Sequence, residues 1–161
     1  MKKKFDYRTI KTFEDACRKL AADPEEFYRK YEGYPEHIKA LIKLEVITKA
    51  LNDGWSHPLD GETIGYYPWY WICNDSEIAG MTEKEKNDRR MVTYIRQDGS
   101  CGLASANPDD AWSTSRASIG SRLACKSKEI ALYCAIEFKD IWASYFFPQP
   151  DLKEVLNGML W

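Results

Sequence analysis

Histidine and cysteine are the side chains of this sequence best suited to nucleophilic or acid–base catalysis. The chain has two histidines, His37 and His57, and five cysteines. A thiol acts as a nucleophile when a base lies within hydrogen-bonding distance, and such partners meet in space rather than in sequence. Cys101 with His57 is the pair that would do this chemistry, but no local motif around either residue supports it.

Serine nucleophiles, phosphate loops and metal sites have recognisable spacings, and this sequence contains none of them. Ser118 and Ser121 lack the flanking glycines of a nucleophile elbow, and the glycines occur singly rather than in a phosphate-binding loop. Neither a close pair nor metal-ligand spacing occurs among the five cysteines, Cys17, Cys73, Cys101, Cys125 and Cys134. We therefore expect a protein that is not an enzyme and that holds no cofactor or metal.

The aromatic run over residues 66–72 is the first candidate for binding, in a chain with six Trp, ten Tyr and six Phe. Alternation along one strand puts Tyr67, Trp69 and Trp71 on the same face. Pro68 cannot donate to a ladder, which predicts an edge strand or a bulge. These rings either pack into the core or form a platform on which bases or sugar rings stack.

Arginines would supply the phosphate contacts of such a platform. The net charge of −2 argues against indiscriminate phosphate binding, although five of the eight arginines lie between residues 89 and 122. Arg96 and Arg116 fall on neighbouring strands of the predicted sheet and, with Arg122, could share the aromatic face. The alternative is that these arginines are ordinary solvated surface charges.

The C-terminal segment, 148–161, is the candidate for a partner interface. Terminal segments are ordered only when tied down, so an apolar one docks on its own domain or enters the groove of a partner as a helix. Association of two copies of the chain would satisfy either alternative. The apolar side chains of this segment are Leu152, Val155, Leu156, Met159, Leu160 and Trp161.

Helical signals dominate the first third of the chain. Thr12 followed by Asp15 is an N-cap pattern, and Asp23 before a proline is another, so two short helices are predicted. A longer helix is predicted over 35–51, ended by a left-handed turn at 52–54. Its broad apolar face predicts a deep position against a sheet.

The middle of the chain predicts antiparallel strands, and its end predicts one long helix. Asp98-Gly99 is a hairpin signal between strands at 91–96 and 101–105, and a third strand is predicted at 111–116. The polar stretch 76–90 is predicted to be a charged, solvated loop with one helical turn at Thr82.

The closing helix starts at the cap Ser127 and is stopped by Pro148. The fold class is therefore α+β. N-terminal helices and a long C-terminal helix pack on a small antiparallel meander sheet in two layers, within a single domain, 1–161, whose compact core is 12–147.

Three stretches stand out when they are taken in order: 40–55 (ALIKLEVITKALNDGW), 66–69 (YYPW), and 120–127 (GSRLACKS) with the helix through 138–142 (FKDIW). Together they resemble a group of small uncharacterised proteins of phages and prophages of gut Bacteroidales. The likeness covers about 12–147. No activity is established for that group, so no functional residue is carried over. The resemblance implies a viral setting, as a virion component, an accessory protein or an inhibitor of host defence.

The sequence therefore predicts a non-catalytic binding or assembly protein that acts through a protein partner or self-association. The alternative is a single-stranded nucleic-acid or nucleotide-binding module that uses the aromatic and arginine side chains. We expect the protein in the cytoplasm of the host cell or in the virion, because a polar segment follows the opening lysines where a signal peptide would be apolar. In such a reducing compartment we expect the cysteines to be free thiols. No membrane association is expected, since no apolar run approaches the ~20 residues of a membrane span.

Overall fold

Helices hold more residues than strands in the computed structural model, which describes residues 5–58, 60, 62–89, 91–96, 99–105, 109–111 and 121–147. The helices of this part are α1 (Phe13–Lys19), α2 (Pro24–Lys30), α3 (Glu36–Leu51), α4 (Asp75–Gly80), α5 (Glu83–Asp88), α6 (Lys128–Glu137) and α7 (Lys139–Phe146). Its strands are β1 (Gly65–Tyr67), β2 (Tyr70–Cys73), β3 (Val92–Arg96), β4 (Gly99–Ser105) and β5 (Asp109–Ala111). Short 3-10 turns occupy Tyr7–Thr9 and Ser121–Leu123. The α+β class is confirmed.

In the structure, helices begin at the residues that the sequence predicted as helix caps. The Thr12 hydroxyl accepts the Asp15 N–H at 3.1 Å, and the Asp15 carboxylate accepts the Thr12 N–H at 3.1 Å. Asp23 accepts the Glu25 N–H at 3.0 Å at the start of α2, and Ser127 caps α6. Each cap satisfies a backbone donor that the first turn of a helix leaves unpaired.

Helix α3 ends at the predicted left-handed turn. Asp53 has φ 57° and Gly54 has φ 81°, and the Gly54 N–H donates to the Lys49 carbonyl at 2.9 Å. The prediction that α3 lies against a sheet is wrong. It packs mainly on other helices, α1, α6 and α7, and on the 121–123 turn. Its buried side chains, with those of its neighbours, form the main core.

The strands form two small antiparallel sheets rather than the single predicted meander. The predicted antiparallel pairing of the two strands on either side of the turn expected at residues 98–99 is confirmed, because β3 pairs with β4 from Val92 opposite Leu103 to Arg96 opposite Gly99. The second partner of β4 is β2, so the order is β2-β4-β3, while β5 pairs with β1. The third predicted strand, 111–116, overlaps β5 only at residue 111, and 112–116 lie outside the described residues.

The aromatic run is divided between the two sheets. Strand β1 ends at Tyr67 and β2 begins at Tyr70, with Pro68 between them. Proline has no N–H for a ladder and restricts the residue before it, which accounts for the break. The prediction of one continuous strand is therefore wrong, whereas the predicted edge position is found for β2.

Two further predictions are corrected by the helices. The closing helix is broken at Phe138, which has φ −108° and ψ 24° and separates α6 from α7. The stretch predicted as a charged loop, 76–90, contains most of α4 and all of α5, each opened by a capping box, at Asn74 and at Thr82. The C-terminal segment, 148–161, lies outside the described residues. Across the part of the chain that is described, no helix is long and apolar enough to cross a bilayer.

Candidate functional site

Three neighbouring large apolar side chains are exposed at the start of β2. Trp69 is 44% exposed, Trp71 is 58% exposed and Ile72 is 65% exposed. The rings of Trp69 and Trp71 have their centroids 4.9 Å apart at an interplanar angle of 49°. We call these three residues the β2 patch. Exposed apolar residues that occur singly are normal, whereas a cluster such as the Trp69–Trp71 ring pair makes this strand a candidate interaction surface.

Two anchors fix β2, one at each end of the strand. The Tyr70 hydroxyl donates to the Ala135 carbonyl at 2.7 Å, and its ring packs on Trp142 and Phe146. Burial raises the pKa of the Tyr70 hydroxyl. At the other end Cys73 is buried with Ile78. Anchoring of this kind fixes the strand before any partner arrives and lowers the ordering cost of binding.

The exposure of Trp71 and Ile72 involves both faces of β2, since successive side chains of a strand point in opposite directions. In the sheet order β2-β4-β3, strand β2 lies at an edge, and no other strand of the described part pairs with its second side. The patch therefore combines apolar side chains with a row of backbone groups on an open edge.

The other predicted members of the aromatic face lie elsewhere. Tyr67 is 8% exposed and packs with Ala124 and Trp55, so it belongs to the core and the prediction that it shares a face with Trp69 and Trp71 is wrong. The pleat of one strand does not continue across the Pro68 break, which explains the error. Burial raises the pKa of Tyr67.

The predicted arginines are not brought to the β2 patch by any described contact. Arg122 is 79% exposed and pairs with Glu45 of α3 at 3.3 Å. Arg96 is the last residue of β3, and its side chain lies outside what the structure describes. Arg116, like the six apolar residues of the C-terminal segment, lies outside the described residues.

A second site, which the sequence did not reveal, is a cavity of about 320 Å³ beside the second half of α3. We call it the α3 cavity. It is lined on one side by α3 and on the other by the segment that follows the left-handed turn and by the 121–123 turn. The side chains used below are Glu45, Lys49, Trp55, Ser56, His57 and Arg122.

Another cavity, beside α2, is explained by internal packing. Its lining includes Lys43, whose ammonium group lies 5.4 Å from the Phe13 ring centroid, 5.6 Å from that of Phe27 and 5.0 Å from that of Tyr28. The Tyr28 hydroxyl donates to Glu14 at 2.5 Å. Lys43 is thus held by three rings of α1 and α2, and these contacts connect the first two helices to α3.

A pair of buried thiols lies in the core between α6 and the segment before it. Cys125 and Cys134 are free and buried. The Cys125 thiol is directed at Cys134, and this hydrogen bond, with burial, raises the pKa of Cys125. Both thiols lack solvent access, so their placement is that of core residues rather than of reactive nucleophiles.

The predicted catalytic candidates do not form a described constellation. His57 lies edge-on to Trp55, with ring centroids 5.8 Å apart, and the side chain of Cys101 is outside what the structure describes. Within the described residues, no group of three or more His, Cys, Asp or Glu side chains could hold a metal ion. Comparison of the chain with protein-family models, with curated proteins and with solved structures found no match.

Proposed function

We propose that this chain is a non-catalytic binding or assembly protein that acts through protein–protein contacts made by the β2 patch. The observation that carries the proposal is the exposure of Trp71 and Ile72 on an edge strand and of Trp69 directly before it. The resemblance to phage and prophage proteins supplies the proposed setting: a virion accessory component or an inhibitor of host defence in the host cytoplasm.

The residue types of the β2 patch favour a protein partner. Tryptophan is among the residues enriched at the energetic centre of interfaces, where burial of one large ring contributes much of the binding free energy. Exposed indole and isoleucine side chains gain roughly 25 cal/mol for each Å² that a partner removes from water. The neighbouring anchors Tyr70 and Cys73 hold the strand in place for that contact.

The open edge of β2 supports a specific mode of contact. An extended segment of a partner can add a strand to an exposed sheet edge, with backbone hydrogen bonds for affinity and side-chain contacts for specificity. Trp71 on one face and Ile72 on the other would each contact the side chains that such a strand presents on that face. We therefore propose strand addition at β2, by another protein or by a second copy of this chain.

Nucleic-acid binding has less support. Stacking of bases on Trp69 or Trp71 requires cations nearby for the phosphates. Of the three arginines predicted for that role, Arg122 is the one with a described side chain, and it pairs with Glu45 at the α3 cavity. The rings alone fit a protein partner equally well, so the protein partner is the function we propose.

The molar mass of the full chain in solution tests this proposal. Size-exclusion chromatography with light scattering should show a species above the 18.7 kDa of the monomer, formed with itself or with a co-purifying protein. The double substitution Trp71→Ser and Ile72→Ser should return the chain to monomer mass. Tyr34→Ser, at a residue that is 50% exposed, is the matched control and should leave the larger species intact.

Two results would contradict the proposal. One is a wild-type chain that remains a monomer over the whole concentration range and binds no protein. The other is an assembly that survives the double substitution unchanged, provided that thermal unfolding shows the variant to be folded.

A further inference from the structure

The α3 cavity has the size, the charges and the aromatic surface of a small-ligand site. Its volume of about 320 Å³ falls within the range of ligand pockets, roughly 300–1,000 Å³. We infer that it binds a nucleoside monophosphate, with the phosphate between Lys49 and Arg122 and the base on Trp55. This site is separate from the β2 patch, so its test does not depend on the proposed function.

The charges of the lining favour an anion. Lys49 and Arg122 contribute two positive charges and Glu45 contributes one negative charge, so the charged wall is positive by one. A phosphate monoester approaches two negative charges at neutral pH and can use both cations at once. A monocarboxylate would need only one of them. The two cations therefore favour a dianion such as a phosphate monoester over a monocarboxylate.

The loop that carries the rings is fixed in place. The left-handed turn at Asp53 and Gly54 reverses the chain after α3, so that Trp55 and His57 fold back over the helix. The His57 ring packs against Gly65. A Cβ added at Gly65 would lie 2.8 Å from the Cδ2 atom of His57. Such a close approach requires glycine and holds the loop against β1.

Trp55 supplies the apolar surface for a base. It is half-buried, because it packs on Tyr67 and Ala124 while also lining the cavity. Stacking of a base on an aromatic ring contributes roughly 1–3 kcal/mol, and a ring held by its neighbours loses little entropy on binding. Ser56, beside it, is a hydroxyl that can bond to the ligand.

Glu45 competes with the ligand in this arrangement. Its carboxylate occupies Arg122 at 3.3 Å, and the phosphate must displace it to reach the guanidinium. Because an ion pair at the surface is weak, a dianion can displace the Glu45 carboxylate from Arg122. Removal of the Glu45 charge should therefore strengthen binding, which a merely structural role for the ion pair does not predict.

Isothermal titration calorimetry of the full chain with AMP, at low salt, tests the inference. We expect saturable binding to one site, with adenosine and inorganic phosphate each binding at least about tenfold more weakly, since each lacks one half of the contacts. Lys49→Gln and Arg122→Gln should each weaken AMP binding by about tenfold, and Glu45→Gln should strengthen it. Lys39→Gln, the same charge change on the same helix outside this lining, is the control.

Several outcomes would overturn the inference. They are the absence of AMP binding to the wild-type chain, equal binding of AMP and phosphate, and full binding by both Lys49→Gln and Arg122→Gln. Loss of binding in Trp71→Ala but not in Trp55→Phe would place the ligand on the β2 patch and overturn it as well. Lys49 and Arg122 are exposed, whereas Glu45 and Lys39 are partly buried; thermal unfolding of each variant should match the wild type.

Discussion

The side-chain amide of Asn52 joins the end of α3 to the segment that precedes α6. Its Nδ2 donates to the Ala124 carbonyl at 2.8 Å, and its Oδ1 accepts the backbone N–H of Lys126 at 3.0 Å. The Lys126 ammonium donates in turn to the Asn52 carbonyl at 2.7 Å. Asn52 is buried, and its side chain satisfies the buried Ala124 carbonyl and the part-buried Lys126 N–H, both more than 70 residues later in the sequence.

Asn52→Ala should therefore be strongly destabilising. It leaves the buried Ala124 carbonyl without a partner, which costs roughly 1–3 kcal/mol, and the part-buried Lys126 N–H loses its partner as well. We expect the free energy of unfolding, measured with urea, to fall by about 2–4 kcal/mol. Asn74→Ala, which removes an exposed N-cap, is the control and should cost only about 1 kcal/mol. A smaller loss at position 52 than at position 74 would be incompatible with this role.

Loss of the Thr48 hydroxyl, unlike loss of the Asn52 amide, should not lower the free energy of unfolding. Its hydroxyl, like the indole N–H of Trp142, is buried without a hydrogen-bond partner in the described part of the chain. Hydrogen bonding from Cys125 lowers the pKa of the neighbouring Cys134 most, burial opposes this effect, and Trp142 and Thr48 lower that pKa further. A thiol sulfur is only a weak acceptor, so it does not replace the partner that these two donors lack.

Thr48→Val keeps the shape of the side chain and removes the unsatisfied hydroxyl. We expect the free energy of unfolding to be unchanged or to rise by up to about 1 kcal/mol. Thr48→Ala is the comparison, because it also leaves a cavity and should be destabilising. A loss above about 1 kcal/mol in Thr48→Val would show that the hydroxyl makes a strong bond to the sulfur.

The contact between Tyr28 and Glu14 predicts a pH dependence at the alkaline end. Desolvation, helped by the hydrogen bond to Glu14, raises the pKa of Tyr28 to about 12. The pKa of tyrosine in the unfolded chain is about 10. Tyr28 therefore contributes its full stability below about pH 10, and this contribution is lost as the pH rises through its folded-state pKa of about 12. The unfolding temperature of Tyr28→Phe should fall less between pH 10 and 12 than that of the wild type. Identical declines would contradict the assignment.

The same contact predicts the acid response of Glu14. Its pKa is lowered, chiefly by the hydrogen bond from Tyr28. Stability from a lowered carboxyl pKa is present above the unfolded value and is lost as the pH falls through the folded value. Glu14→Gln should flatten the acid side of the curve of unfolding temperature against pH, whereas Glu26→Gln, on the neighbouring helix, should not. Equal curves for the wild type and Glu14→Gln would argue against the hydrogen bond.

The features that the sequence predicted well are those that depend on neighbours in the chain. The caps Thr12, Asp23 and Ser127 need a donor only two or three positions away, and the left-handed turn at 52–54 needs a glycine in place. The pairing of β3 with β4, which follow each other in the chain, is local in the same way. Such contacts close short loops, so their residue types identify them directly.

The features that it missed depend on distant partners. The pairing of β5 with β1 joins Asp110 to Tyr66 across more than forty residues, and no alternation pattern specifies that choice. The division of the aromatic run follows from the same choice, because β1 and β2 enter different sheets. The α3 cavity was missed because Trp55 and Arg122 meet only through tertiary packing.

Site-specific photocrosslinking at position 71 tests the central claim most directly. A photoreactive phenylalanine analogue would replace Trp71 of the full chain in cells that contain its natural partners, with the same analogue at Tyr34 as the control. We predict a covalent protein adduct, to a second copy or to another protein, from position 71 and none from position 34. Adducts at both positions alike, or at neither, would contradict the assignment of the β2 patch as a protein interface.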